Sequence, residues 1–153
     1  MPMNAIENNF DDLKVNDLLK KHFIELRSVS PAGSTHVLDI DGLKDKTIKF
    51  WSIWDNEDLI GCGAIKILNQ DYGEFKSIRV HDKFREKGFG KTIISILISK
   101  SKDIGLKKIF IETGSGKFFE PARKLFKSCG FEECDPFGHY KNDPNSCYMR
   151  IKV

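Results

Sequence analysis

No apolar run in this sequence approaches the length that crosses a bilayer, and the opening MPMNAIENNFDD lacks the apolar h-region of a secretory signal. Both absences argue against a membrane or exported protein and make the cytoplasm the expected setting. Cysteine is sparse. Cys62, Cys129, Cys134 and Cys147 contain no C-x-x-C pair, so reduced thiols are expected, not a disulfide frame. An excess of one charge is missing too. The 25 Lys and Arg against 22 Asp and Glu leave a net +3. That suits an anionic small ligand but is too weak to argue for nucleic acid or a membrane surface as partner. Repeats, low-complexity tracts and linkers are absent. The 153 residues therefore read as one domain, 1–153, and such a domain buries roughly 70% of its unfolded surface without metal or disulfide staples.

What is present is an alternation of strand and helix signals. Leu18, Leu19, His22, Phe23 and Leu26 recur at helical spacing and predict a helix over 15–28, stopped by Pro31 and Gly33. Ser34-Thr35 is expected to cap a second helix reaching Leu43. Residues 4–9 suit a short strand. TIKFWSIW (47–54), LIGCGAIKIL (59–68), EFKSIRV (74–80) and KKIFIET (107–113) read as further strands. Gly61 and Gly63 within one of them suggest a bulge or a close backbone approach. A helix spans the segment from the glycine turn to about Asp103. Another covers 121–129, with Pro121 in its first turn and Gly130 after its end. FEECDPF and SCYMRIKV are expected to close the chain as two strands. Trp51 and Trp54 should point to opposite faces of their strand. The sum is an α/β domain around one mixed sheet, with a parallel strand–helix–strand unit.

The turn itself is Arg85-Glu86-Lys87-Gly88-Phe89-Gly90-Lys91-Thr92. An ATP-type loop, G-x-x-x-x-G-K-[ST], needs glycine where Arg85 stands. A dinucleotide fingerprint, G-x-G-x-x-G, needs glycine where Ile93 stands, and a carboxylate where Lys107 and Lys108 stand. R-x-x-G-x-G does fit, between a strand and a helix. Backbone N–H groups from Glu86 to Lys91 would then surround a pyrophosphate, with Arg85, Lys91 and the helix N-terminus adding positive charge. Taken alone, the hexapeptide fits equally well a plain turn whose glycines serve only conformation.

HDKFREKGFGKTIISIL (81–97) resembles motif A of the GNAT superfamily of N-acetyltransferases, which bind acetyl-CoA. ARKLFKSCGF (122–131) is similar to the family's second motif, and the order of elements matches over nearly the whole chain. The stretch from Glu112 to Met149 also resembles a bacterial acetyltransferase subgroup. The resemblance implies a single-domain GNAT fold, with a mostly antiparallel mixed sheet flanked by helices. It implies acetyl transfer from acetyl-CoA to a primary amine of a small molecule or peptide, by direct attack in a ternary complex and without a metal. It places the cofactor along Ile78, Arg79 and Val80, then on Arg85, Glu86, Lys87, Gly88, Phe89, Gly90 and Lys91, with Thr113 at the next strand. A backbone N–H near Ile78 would polarise the thioester. Glu74 is the candidate base, directly or through a water. Many members use a tyrosine of the second-motif helix to protonate the leaving thiolate; here Phe126 stands there, which leaves open an unaided thiolate or a proton from Tyr140 or Tyr148, with Tyr140 the preferred substitute. Ser34 and His36 fall where members frame the acceptor. Dimer formation, common among members, is compatible with all of this. The alternative prompted by Phe126 is a non-catalytic acyl-CoA-binding module.

The remaining constellations are weaker. Cys129, Cys134, His139 and Cys147 lack the spacing of a zinc knuckle and suit buried thiols better. His22 lies on the apolar stripe of its helix and is expected to pack half-buried. The basic segment KSKDIGLKK (100–108) is a candidate for the 3′-phosphate of coenzyme A or a solvated helix end.

Overall fold

Asp12 opens the first helix. Its carboxylate accepts from the amides of Lys14 (2.8 Å) and Val15 (3.2 Å), satisfying two of the free N–H groups at the start of α1 (Leu13–Val29). Val15, Leu18, Leu19 and His22 then form one buried stripe. The structure is a computed structural model and describes residues 3–153. Its elements run β1 (Asn4–Glu7), α1, α2 (Ile40–Leu43), β2 (Ile48–Asp55), β3 (Asp58–Ile67), β4 (Tyr72–Val80), α3 (Phe89–Ile104), β5 (Lys108–Gly114), α4 (Glu120–Ser128), β6 (Glu132–Glu133) and β7 (Ser146–Lys152). The strands form one sheet in the order β1-β2-β3-β4-β5-β7-β6. Neighbours are antiparallel except β4 and β5, which run parallel with α3 between them in the chain. This is the mixed, mostly antiparallel α/β architecture expected from the sequence.

Strand alternation divides the core. Trp51, Ile53, Ile65, Phe75 and Ile111 pack with Ile93, Ile94 and Leu97 of α3 and Phe126 of α4. Phe50, Trp54, Cys62 and Ala64 pack with Val15, Leu18 and Leu19 of α1 and Leu43 of α2. The two tryptophans thus lie on opposite faces, three positions apart on a period-two strand. Gly63 lets α3 lie directly on β3, because a Cβ there would stand 2.5 Å from Leu97 Cδ1.

Two features of the sheet make the site. First, β4 and β5 pair only at Tyr72↔Lys108, Gly73↔Ile109 and Glu74↔Phe110. Beyond Glu74 the strands part, and residues 75–80 have no strand on that side. Second, the β3–β4 register shifts between Cys62↔Arg79 and Ala64↔Lys76. Ser77 and Ile78 therefore stand opposite Gly63 alone, and Ser77 takes φ 54°. That is a β-bulge, which re-aims the backbone where the strands diverge.

Two expectations are corrected. The second helix does not start at Ser34. Asp39 caps it, accepting from Gly42 N at 2.7 Å, and it spans only Ile40–Leu43; the Ser34 hydroxyl instead donates to Asp143 at 2.6 Å. FEECDPF yields a strand of only Glu132–Glu133, and Pro136, with no N–H to donate, suits the irregular run that follows.

Candidate functional site

The divergence of β4 and β5 opens a cleft of about 950 Å³. One wall is the bulged half of β4. The other is the end of β5 with the start of α4, and α1 and the 30–38 segment close the side. At one end lies the glycine turn. Gly88 is the N-cap of α3 with φ 84°, and no side chain caps the helix. Glu86 is also left-handed, at φ 62°. Left-handed residues at 86 and 88 precede a 16-residue helix whose first N–H groups no side chain caps, a setting that favours an anion. The two glycines have different reasons. Gly88 has open space where a Cβ would be and is required by its φ. Gly90 is required by packing, since a Cβ would stand 2.7 Å from Leu125 Cδ2.

The basic residues nearby divide sharply. Arg79 is buried, with its guanidinium on Glu25 Oε1 (3.0 Å) and Asp82 Oδ1 (3.3 Å). Arg85 is held by Asp82 at 3.2 Å and Glu25 at 3.6 Å. Both side chains tie α1 to the end of β4 and the loop after it, and Arg79 Nε is buried without a partner. Lys87 and Lys91 are exposed and make no ion pair among the described residues. Phe89 packs edge-on against Phe84. Thr113 is buried at the cleft wall and donates to the Gly114 carbonyl at 3.1 Å. At the bulge, the Cys62 thiol donates to the Ser77 carbonyl at 3.2 Å, and Ser77 Oγ is buried without a protein partner.

The other end of the cleft holds a compact polar cluster. Glu74 is 2% exposed. Its Oε2 accepts from the Tyr140 hydroxyl at 2.7 Å and from Lys76 Nζ at 3.3 Å. Lys76 also donates to the Tyr140 oxygen at 3.2 Å. Burial, reinforced by the Glu74 carboxylate, pushes the Tyr140 phenol far up and keeps it protonated. His36 meets the Tyr140 ring edge-on at 5.0 Å between centroids. Glu112 accepts from Ser146 Oγ at 2.8 Å; burial raises its pKa. Thus Glu74, Tyr140 and His36, far apart in sequence, are brought together, while the Arg79 and Arg85 guanidinium groups pair with Glu25 and Asp82. Lys76 had escaped notice. Its signal was period two: Glu74 and Lys76 must share a face. Phe126 is buried against Phe131 at 5.3 Å and lines the cleft without a proton to give.

Residues 14–131 match the model of the acetyltransferase (GNAT) family. The chain belongs to the GNAT family. This GNAT protein is 40% identical over 146 residues to the uncharacterized N-acetyltransferase YsnE of Bacillus subtilis, covering 94% of this chain and 97% of the relative. It is 32% identical over 126 residues to the IAA acetyltransferase of Azospirillum brasilense, covering 81% and 80%. Its fold is shared with a Bacillus subtilis acetyltransferase solved in complex with CoA (TM-score 0.74, 18% identity, 99% of each chain). A GNAT acetyltransferase of Elizabethkingia anophelis with acetyl-CoA bound is also similar (TM-score 0.68, 18% identity, 99% and 98% covered). No helix among the described residues is long and apolar enough to cross a membrane.

Proposed function

We propose that this GNAT protein transfers the acetyl group of acetyl-CoA to a primary amine, by direct attack in a ternary complex. The observation that carries the reading is the split between β4 and β5, with an uncapped helix N-terminus at one end and a buried carboxylate at the other. The site fits the cofactor by its own features. The left-handed turn and bare α3 N-terminus suit a pyrophosphate, with Lys87 and Lys91 adding charge. The unpaired edge of residues 75–80 and the orphan hydroxyl of Ser77 suit the amides of a pantetheine arm. Bound there, acetyl-CoA supplies an acyl carbon activated as a thioester.

The chain's residues do the rest. The backbone N–H at Ile78, on the bulge, hydrogen-bonds the developing negative oxygen, and one such donor is worth about 3 kcal/mol. Glu74 takes a proton from the acceptor's ammonium, freeing the lone pair that attacks. Phe126 cannot return a proton to the thiolate. Tyr140 does so, resupplied by Glu74 across their 2.7 Å hydrogen bond; of the two protons the ammonium nitrogen loses on becoming an amide, one reaches sulfur and the other passes to solvent. Ser34 and His36 frame the acceptor.

The test is a panel of primary amines with acetyl-CoA, following free thiol release, alongside calorimetry of CoA. Thiol release that depends on the amine, with the acetyl group found on nitrogen by mass spectrometry, supports the reading. CoA binding without release across the panel would identify a non-catalytic binding module instead.

A further inference from the structure

Glu25, Glu74, Glu86 and Glu112 all line the cleft. Glu25 is paired with Arg79 and Arg85, and Glu74 with Lys76. Glu86 sits exposed on the glycine turn. Glu112 differs from all three. It is half-buried, makes no ion pair among the described residues, and its one side-chain hydrogen bond is from Ser146.

Its position gives that charge a purpose. The last pair joining β4 to β5 is Glu74↔Phe110. Two residues further along each strand stand Lys76 and Glu112, on the same face of the sheet as Glu74 and Phe110. They flank the opening of the split on the side closed by the 30–38 segment. The polar groups around Glu112 are His36 from that segment, Glu74 and Lys76 from β4, Ser146 and Tyr148 from β7, and Tyr140. Lys76 is committed to Glu74 and Tyr140. Two carboxylates against one ammonium leave one negative charge uncompensated. Burial of that charge is costly, and a cation placed beside it relieves the cost.

We propose that Glu112 is the subsite for the acceptor's ammonium group and selects amines without a carboxylate on the carbon beside the nitrogen. For its chemistry this rests on the acetyl-transfer reading. Glu112 holds the nitrogen while it is still cationic, and Glu74, deeper in the split, takes the proton. An α-amino acid would bring its own carboxylate against Glu112, with Lys76 already occupied, and like charges at such a distance repel.

A matched pair tests this: 2-phenylethylamine and phenylalanine differ only by the carboxylate. The amine should be preferred by about tenfold or more in kcat/KM, with the difference carried by KM. In Glu112→Gln, which keeps the shape and the Ser146 contact, the preference should shrink below about threefold through a raised KM for the amine. Glu112→Asp, which keeps the charge, should retain the preference, and CoA affinity should be unchanged in both variants. Preference for phenylalanine, or an unchanged preference in Glu112→Gln, overturns the proposal. If neither compound is acetylated, the amine panel judges the acetyl-transfer reading, and calorimetry of both compounds into CoA-loaded protein decides the subsite separately. Tighter binding of the amine, lost in Glu112→Gln, sustains it; equal binding or none overturns it.

Discussion

Acid should destabilise this protein through His22. The imidazole is 8% exposed on α1, and its Nδ1 has no hydrogen-bond partner. Burial, then the positive charge of Arg79, lowers its pKa from 6.5 to about 4. The sign follows directly. Between those values the unfolded chain takes up a proton at this position and the folded chain does not. The contribution is full above 6.5 and is lost as pH falls toward 4. The whole gap is worth roughly 3 kcal/mol, of which about 2 kcal/mol is lost between pH 7.5 and pH 5. Urea denaturation of the wild type and His22→Leu at both pH values isolates this site. The stability difference between the two proteins should move against the wild type by about 2 kcal/mol on acidification. Parallel pH dependence in both would show that His22 protonates freely in the folded state, and the burial argument would be wrong.

Three further expectations concern the site. Glu74→Gln should lower kcat by about 100-fold or more; an unchanged kcat would take Glu74 out of the mechanism. Gly88→Ala meets no atom within 4 Å, so its cost is the left-handed backbone alone, about 1–2 kcal/mol, and calorimetry should find CoA binding weakened about tenfold. Cys62 is fully buried with its thiol pushed up to about 12, so a thiol reagent should label Cys129, Cys134 and Cys147 in the native protein and reach Cys62 only in denaturant; native labelling of Cys62 at a comparable rate, read by peptide mass spectrometry, would contradict its burial.

The elements of this fold were legible because their signals are local. Leu18, Leu19 and His22 needed only helical periodicity to read as a buried stripe, although Phe23 and Leu26, read with them, are half-buried, and the placement of Trp51 and Trp54 on opposite faces needs only strand alternation. The R-x-x-G-x-G turn was legible for a similar reason: Gly88 obeys a rule of backbone conformation that holds wherever the chain goes. The failures were of another kind. Ser34 looked like a helix cap because serine caps helices, yet Asp143, distant in the chain, captured its hydroxyl. The closing strand shrank because the Pro136 segment leaves the ladder to cover the sheet.

Chain order alone settled most of the sheet's strands, the glycine turn and the absence of a tyrosine at 126, since each is a property of neighbouring residues. It did not settle which charges are free. Nothing in the chain order showed that Arg85, read as a phosphate partner, and Arg79, read along the cofactor strand, would both pair with Glu25 and Asp82. Glu112 was one more strand-end carboxylate until the parting of β4 from β5 set it, half-buried and unpaired, in the cleft. Ion pairing depends on distances between segments remote in sequence, so only the assembled fold assigns each charge its partner, or leaves it waiting for a ligand.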